Sequence, residues 1–106
     1  MSIPRKGNPG WQVHPGEILR EEFLKPMNIT PYRLSKVLQV PPPSVNDIVL
    51  ERRGISAEMA VRLARCFGTT EQFWLNLQAA YDIGKAKHKL ARRLKEIQPL
   101  VREAGA

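Results

Sequence analysis

Three consecutive prolines at 41–43, inside the stretch TPYRLSKVLQVPPPSVNDIVL at 30–50, leave this chain few ways to continue. A residue that precedes proline is pushed out of the α region, so Pro41 and Pro42 are disfavoured as helical positions, whereas Pro43 can open a helix. A helix is therefore expected to begin near Pro43, with Val45 and Ile48 inward and Ser44, Asn46 and Asp47 outward. Just upstream, Thr30 can cap a first helix and Pro31 can take its first position, where a missing N–H costs nothing. Leu34 and Leu38 share one face of that helix, and Ser35 is small enough to let another helix cross closely. Gln39 and Val40 form the turn between the two. This is the spacing of a helix-turn-helix, in which the second helix offers its early residues to base edges in the major groove. The same spacing also suits a pair of amphipathic helices that merely pack in an all-α domain, and it does not choose between them.

Charge narrows the choice less than its total suggests. The 106 residues carry a net charge of +7. Residues 83–106 hold seven Lys/Arg against Glu96 and Glu103, and Arg5 and Lys6 supply the remainder, so residues 7–82 are neutral. Phosphate attraction by the central part must then come from local clusters, and the paired Arg52 and Arg53 in ERRGI are the best placed, next to a turn at Gly54. A single cysteine, Cys66, excludes an internal disulfide and a cysteine-rich zinc site. Neither an apolar leader after the first basic residues nor a stretch of membrane-spanning length is present, so the chain reads as cytoplasmic.

Three segments follow from composition: a proline- and glycine-rich basic arm at 1–12, a helical domain at 13–82, and a basic amphipathic tail at 83–106. In HPGEILREEFLKPM, Pro15 opens a helix, Ile18, Leu19 and Phe23 face a core, and Pro26 is expected to end it. Glu17, Glu21 and Glu22 read as a solvated acidic first turn. Ser56 caps a helix whose Met59, Ala60, Leu63, Ala64 and Phe67 form one apolar stripe, stopped by Gly68. Cys66 lies beside that stripe with no histidine or carboxylate at motif spacing, and reads as a packed residue. Thr69 and Gln72 read as a capping box for a last core helix. Its Phe73, Trp74, Leu77 and Tyr81 present more apolar surface than a small core easily covers, which marks them as a candidate dimer interface. Gly84 is a potential break, and Leu90, Leu94, Ile97 and Val101 then form the seam of a further helix interrupted by Pro99. His14 and His88 are far apart in sequence and no phosphate loop or metal-ligand spacing occurs, so neither an enzyme nor a cofactor is expected.

The strings HPGEIL at 14–19, RRGIS at 52–56, AEMAVRLAR from 57 and above all FWLNLQAAYD at 73–82 resemble the HigA-type antitoxins of bacterial toxin–antitoxin pairs, within the lambda-repressor-like helix-turn-helix class. The resemblance covers residues 13–82 and implies an all-α, five-helix domain, here followed by the basic helical extension. It further implies a homodimer that binds operator DNA, represses its own operon and neutralises a ribonuclease toxin. Two readings stand beside this one: a toxin-free transcriptional repressor, and a partner-sequestering module with a degenerate helix-turn-helix. Gln39 stands where such proteins usually carry glycine, at a cost of about 1 kcal/mol if the left-handed conformation is kept. Between Lys36 and Arg52 there is no Lys or Arg, so direct guanine reading from the second helix is not expected. Under this reading Arg33, Lys36, Arg52 and Arg53 hold phosphates, and Ser44 and Asn46 read bases. Asp47 either accepts from a cytosine or orders a neighbouring arginine.

Overall fold

A computed structural model describes residues 13–101, which form six helices and no strands. The basic arm at 1–12, with Trp11, and the last residues of the tail, 102–106, lie outside them.

Helix α1 is one continuous run of three pieces: Pro15–Ile18, a π-helical segment Leu19–Leu24, and Lys25–Met27. Its start is capped by His14, whose Nδ1 accepts the Gly16 N–H at 2.8 Å. Pro26 does not end this helix, contrary to the sequence expectation. The wider π turn, in which the Lys25 N–H reaches back to the Arg20 carbonyl, moves the preceding carbonyls away from the proline ring. Asn28, at φ 56°, makes the actual stop. Nor is the acidic first turn wholly solvated, because Glu17 is buried while Glu22 is exposed.

Helix α2 spans Pro31–Leu38, with Thr30 Oγ1 accepting the Arg33 N–H at 3.1 Å. Gln39 keeps the left-handed geometry, at φ 60° and ψ 47°, and the turn closes with Gln39 N–H to Lys36 and Val40 N–H to Ser35 carbonyl bonds of 3.2 and 3.1 Å. Helix α3, Pro42–Val49, opens one residue earlier than expected. The clash that expels a pre-proline residue from the α region involves its N–H; Pro42 has none, so part of the penalty is missing. Helix α4, Ala57–Phe67, is capped by Ser56 and stopped by Gly68 at φ 73°, as its sequence indicates.

Helix α5 runs Glu71–Lys89 without interruption at Gly84. Its cap is Thr70, whose hydroxyl accepts the Phe73 N–H at 3.0 Å, and not Thr69. Thr69 Oγ1 instead accepts the Trp74 indole N–H at 2.7 Å, and Gln72 bonds Asn76. Trp74 is completely buried, 5.0 Å from both Phe23 and Phe73 and 6.3 Å from Phe67 between ring centroids. With its indole N–H satisfied, this ring is the centre of the monomer core and is removed from any surface available to a dimer. Of the other three α5 residues expected there, Phe73 is exposed, whereas Leu77 is half-buried against the core and Tyr81 lies 4.9 Å edge-on to His14. The predicted seam of the tail is also cut short. Helix α6 is only Ala91–Leu94, and Ile97 and Val101 follow in non-helical chain, because Pro99 lacks a donor and biases the residue before it toward extended geometry.

The first turn of α1 lies directly on the end of α3. A Cβ placed on Gly16 would collide with the Ile48 carbonyl oxygen. Gly16→Ala is therefore expected to cost about 1–3 kcal/mol in urea unfolding, toward the upper end because backbone rather than a flexible side chain must give way. Gln39→Gly should instead gain up to about 1 kcal/mol in the same measurement, by relieving the left-handed side-chain penalty.

Candidate nucleic-acid interface

Helices α2 and α3 cross over Ser35, which is fully buried and donates its hydroxyl to the Tyr32 carbonyl at 2.6 Å. Leu34 and Leu38 from α2 meet the buried Val45, Ile48 and Val49 of α3 in the core. This fixes the outer face of α3: Asn46 is exposed, and Ser44 and Asp47 are half-buried. Arg33 and Lys36 are exposed on α2, with Lys36 Nζ over the Tyr32 ring at 5.2 Å.

Both ends of α3 depart from a simple phosphate-binding helix. Pro42 and Pro43 occupy its first two positions without N–H groups, and the Ser44 N–H is engaged with the Pro41 carbonyl at 2.9 Å. The amide array that usually holds an anion at a helix start is missing there. At the other end, Glu51 at φ 64° stops the helix, and the Arg52 N–H donates to the Asp47 carbonyl at 2.8 Å. That turn swings Arg52 and Arg53 back toward the Asp47 carboxylate, at 3.5 and 3.8 Å. Of the two sequence readings of Asp47, the structure has it ordering the arginines. Both arginines are at least half exposed, so each pair contributes at most about 1 kcal/mol, and a phosphate can compete for either guanidinium.

Two further arginines hold the motif and were not apparent from sequence. Arg20 Nη1 donates to the Val49 carbonyl at 2.6 Å, at the end of α3, while its other nitrogens pair with Glu21 and Glu51 at 3.0 and 3.3 Å. Arg62 Nη1 donates to the Leu38 carbonyl at 2.6 Å, at the end of α2, and pairs with Glu58 at 3.4 Å. Each thus satisfies a carbonyl at the negative end of a helix dipole. No local spacing signals these contacts, which join residues 29 and 24 positions apart. A third anchor is Gln78 on α5. Its Oε1 accepts the Ile55 N–H at 2.6 Å and packs on Gly54, where a Cβ would come within 2.7 Å of it. Gln78 Nε2 donates to Asp82 at 3.0 Å. The loop that carries Arg52 and Arg53 is therefore tied to α5.

The described residues contain no group of three or more His, Cys, Asp or Glu placed to hold a metal ion. Burial pushes the Cys66 thiol above its usual range, away from the thiolate a nucleophile needs. No helix among the described residues is long and apolar enough to cross a membrane.

Residues 21–74 match the helix-turn-helix family model HTH_3. A curated relative, virulence-associated protein I of Dichelobacter nodosus, is 53% identical over 87 residues, covering 82% of this chain and 81% of its own. A Pseudomonas aeruginosa antitoxin HigA solved with the higBA promoter superposes with a TM-score of 0.82 at 50% identity, over 85% of this chain and 99% of that one. This chain belongs to the HigA antitoxin family. The antitoxin GraA solved in complex with its operator is similar as well, with a TM-score of 0.80 at 44% identity over 94% of this chain and 99% of GraA. The family strings now have structural roles. HPGEIL supplies the His14 cap and the Gly16 contact, and FWLNLQAAYD supplies the buried Trp74, the Gln78 anchor and Tyr81 against His14.

The His14 cap makes stability depend on pH. Burial lowers its pKa below the ordinary 6.5, outweighing Glu51 and Asp82, which raise it; Lys85 and Arg20 lower it further. Between the folded and unfolded values the unfolded chain binds more protons, so this contribution is complete above about pH 6.5 and is lost as pH falls. The melting temperature should drop more between pH 7.5 and 5 in the parent protein than in His14→Asn, which keeps a capping acceptor without the titration.

Proposed function

We propose that this protein is an operator-binding antitoxin, acting as a cytoplasmic homodimer that represses its own operon and neutralises a partner ribonuclease toxin, with no catalytic step of its own. The observation that carries the reading is the exposed Asn46 on α3, a helix held at its end by Arg20 and flanked by Arg33, Lys36, Arg52 and Arg53. The promoter and operator complexes solved for similar antitoxins support it. In a dimer the two α3 helices enter successive major grooves about 34 Å apart. Asn46 bonds an adenine edge through two hydrogen bonds and Ser44 adds a shorter contact, while the four cations hold phosphates. Asp47 orients Arg52 and Arg53 and leaves the reading of bases to its neighbours. Phe73 keeps the exposed apolar surface on α5 that a dimer contact needs.

The test compares binding to the DNA upstream of its own gene with binding to random duplex. Asn46→Ala should lower the preference by ~1–3 kcal/mol at one position per half-site. Arg53→Ala should weaken both duplexes alike and flatten the salt dependence. Equal losses on both duplexes for Asn46→Ala would overturn the base-reading role. A small toxin gene is expected beside its own, and co-expression of the two should restore growth; the lack of such a gene, or of rescue, would leave a toxin-free repressor.

A further inference from the structure

Most cations of the body have a carboxylate beside them. Arg20, Lys25, Arg52, Arg53 and Arg62 all have a carboxylate within ion-pair distance. The segment from Lys85 to Lys95 is different: Lys85, Lys87, Lys89, Arg92, Arg93 and Lys95 are all exposed, with no acidic residue among them in sequence. None of these six makes a salt bridge to a carboxylate among the described residues.

The placement of this segment gives it a partner. Gln78, bonded to the Ile55 N–H, stands beside the loop that carries Arg52 and Arg53. Lys85 lies seven residues further along the same unbroken helix, about two turns, and therefore on the same face roughly 10 Å away. Lys89, eleven residues on, or about three turns, shares that face too. Lys85 and Glu51, the neighbour of Arg52, both lie near enough to the buried His14 to act on it electrostatically. The positive segment thus begins, measured along the helix, about one screening length at ordinary salt from the Gln78 that holds this loop.

We infer that residues 85–95 form a second, sequence-independent phosphate-binding element that continues the edge begun by Arg52 and Arg53 and grips the backbone of DNA flanking each half-site. The inference rests on the operator-binding reading above. It makes the tail an extension of the footprint, contributing affinity and no sequence preference.

The test uses the full chain and the variant Lys85→Gln/Lys89→Gln/Arg92→Gln/Arg93→Gln, whose changed side chains are exposed. Binding is measured from low to moderate salt on own-operator duplexes with short and with long flanks, and on random duplex of equal length. The parent should bind the long-flank duplex more tightly than the short one. The variant should lose that advantage, with a logarithmic salt slope shallower by about 0.9 for every phosphate contact removed and an unchanged ratio of operator to random binding. An unaltered salt slope, with the fold checked by circular dichroism and the mass by light scattering, would overturn the inference. So would an altered oligomeric state that accounts for the affinity loss. If the parent binds no duplex in a salt-dependent way, the operator-binding reading fails with it. If the parent prefers its operator and the variant is indistinguishable, only the tail element fails.

Discussion

The contact on which the rest of this fold depends is the seating of the first turn of α1 on the end of α3. It works because three unrelated demands coincide there. Gly16 has no Cβ, so its backbone can touch the Ile48 carbonyl; His14 caps the same turn; and Arg20, one turn later, reaches the Val49 carbonyl. A short helix opened by two prolines has little stability of its own, since nucleation is costly and eight residues repay few bonds. Its geometry is imposed from outside, by α1 at its end and by the buried Val45 and Ile48 along its inner face.

The same economy governs charge. A neutral body cannot attract DNA as a whole, yet its arginines are not equivalent. Arg20 and Arg62 each give one nitrogen to a carbonyl at a helix end, which orders the motif and removes them from a ligand. Arg52 and Arg53 are themselves exposed and are held only by the Asp47 carboxylate at 3.5 to 3.8 Å, a restraint weak enough to orient them without capturing them. The difference lies in distance and exposure: Arg20 and Arg62 bond helix-end carbonyls at 2.6 Å, whereas the exposed guanidinium groups of Arg52 and Arg53 can exchange a longer contact to Asp47 for phosphate.

Features encoded within a few residues were legible in the sequence. The Thr30 and Ser56 caps, the Gly68 stop, the inward Val45 and Ile48, and the left-handed strain at Gln39 all follow from local spacing. Misreadings came where two local rules competed or a distant partner decided. Thr69 and Thr70 are both competent caps, and the buried indole of Trp74 claimed the first, leaving the helix start to the second. Pro26 and Gly84 looked like breaks because each disfavours a helix alone; a π turn absorbs the proline, and the glycine is carried by helix on both sides. Trp74 looked like surplus surface because an apolar helix face does not say which neighbour covers it, and the aromatic rings of Phe23 and Phe67 come from two other helices. Gln78 gave no signal, since a polar residue on a long helix reads as solvated until the loop it caps is known.

The unbroken course of α5 past Gly84 couples length to direction. A flexible joint there would let the basic end wander, and residues could be added or lost with little effect. In a continuous helix each inserted or deleted residue rotates everything beyond it by roughly a quarter turn, since 3.6 residues complete one turn. The interval between Gln78 and Lys85 is thus constrained in phase as well as in composition, and a lineage could change its length only in near-whole turns without turning the cations away from the loop.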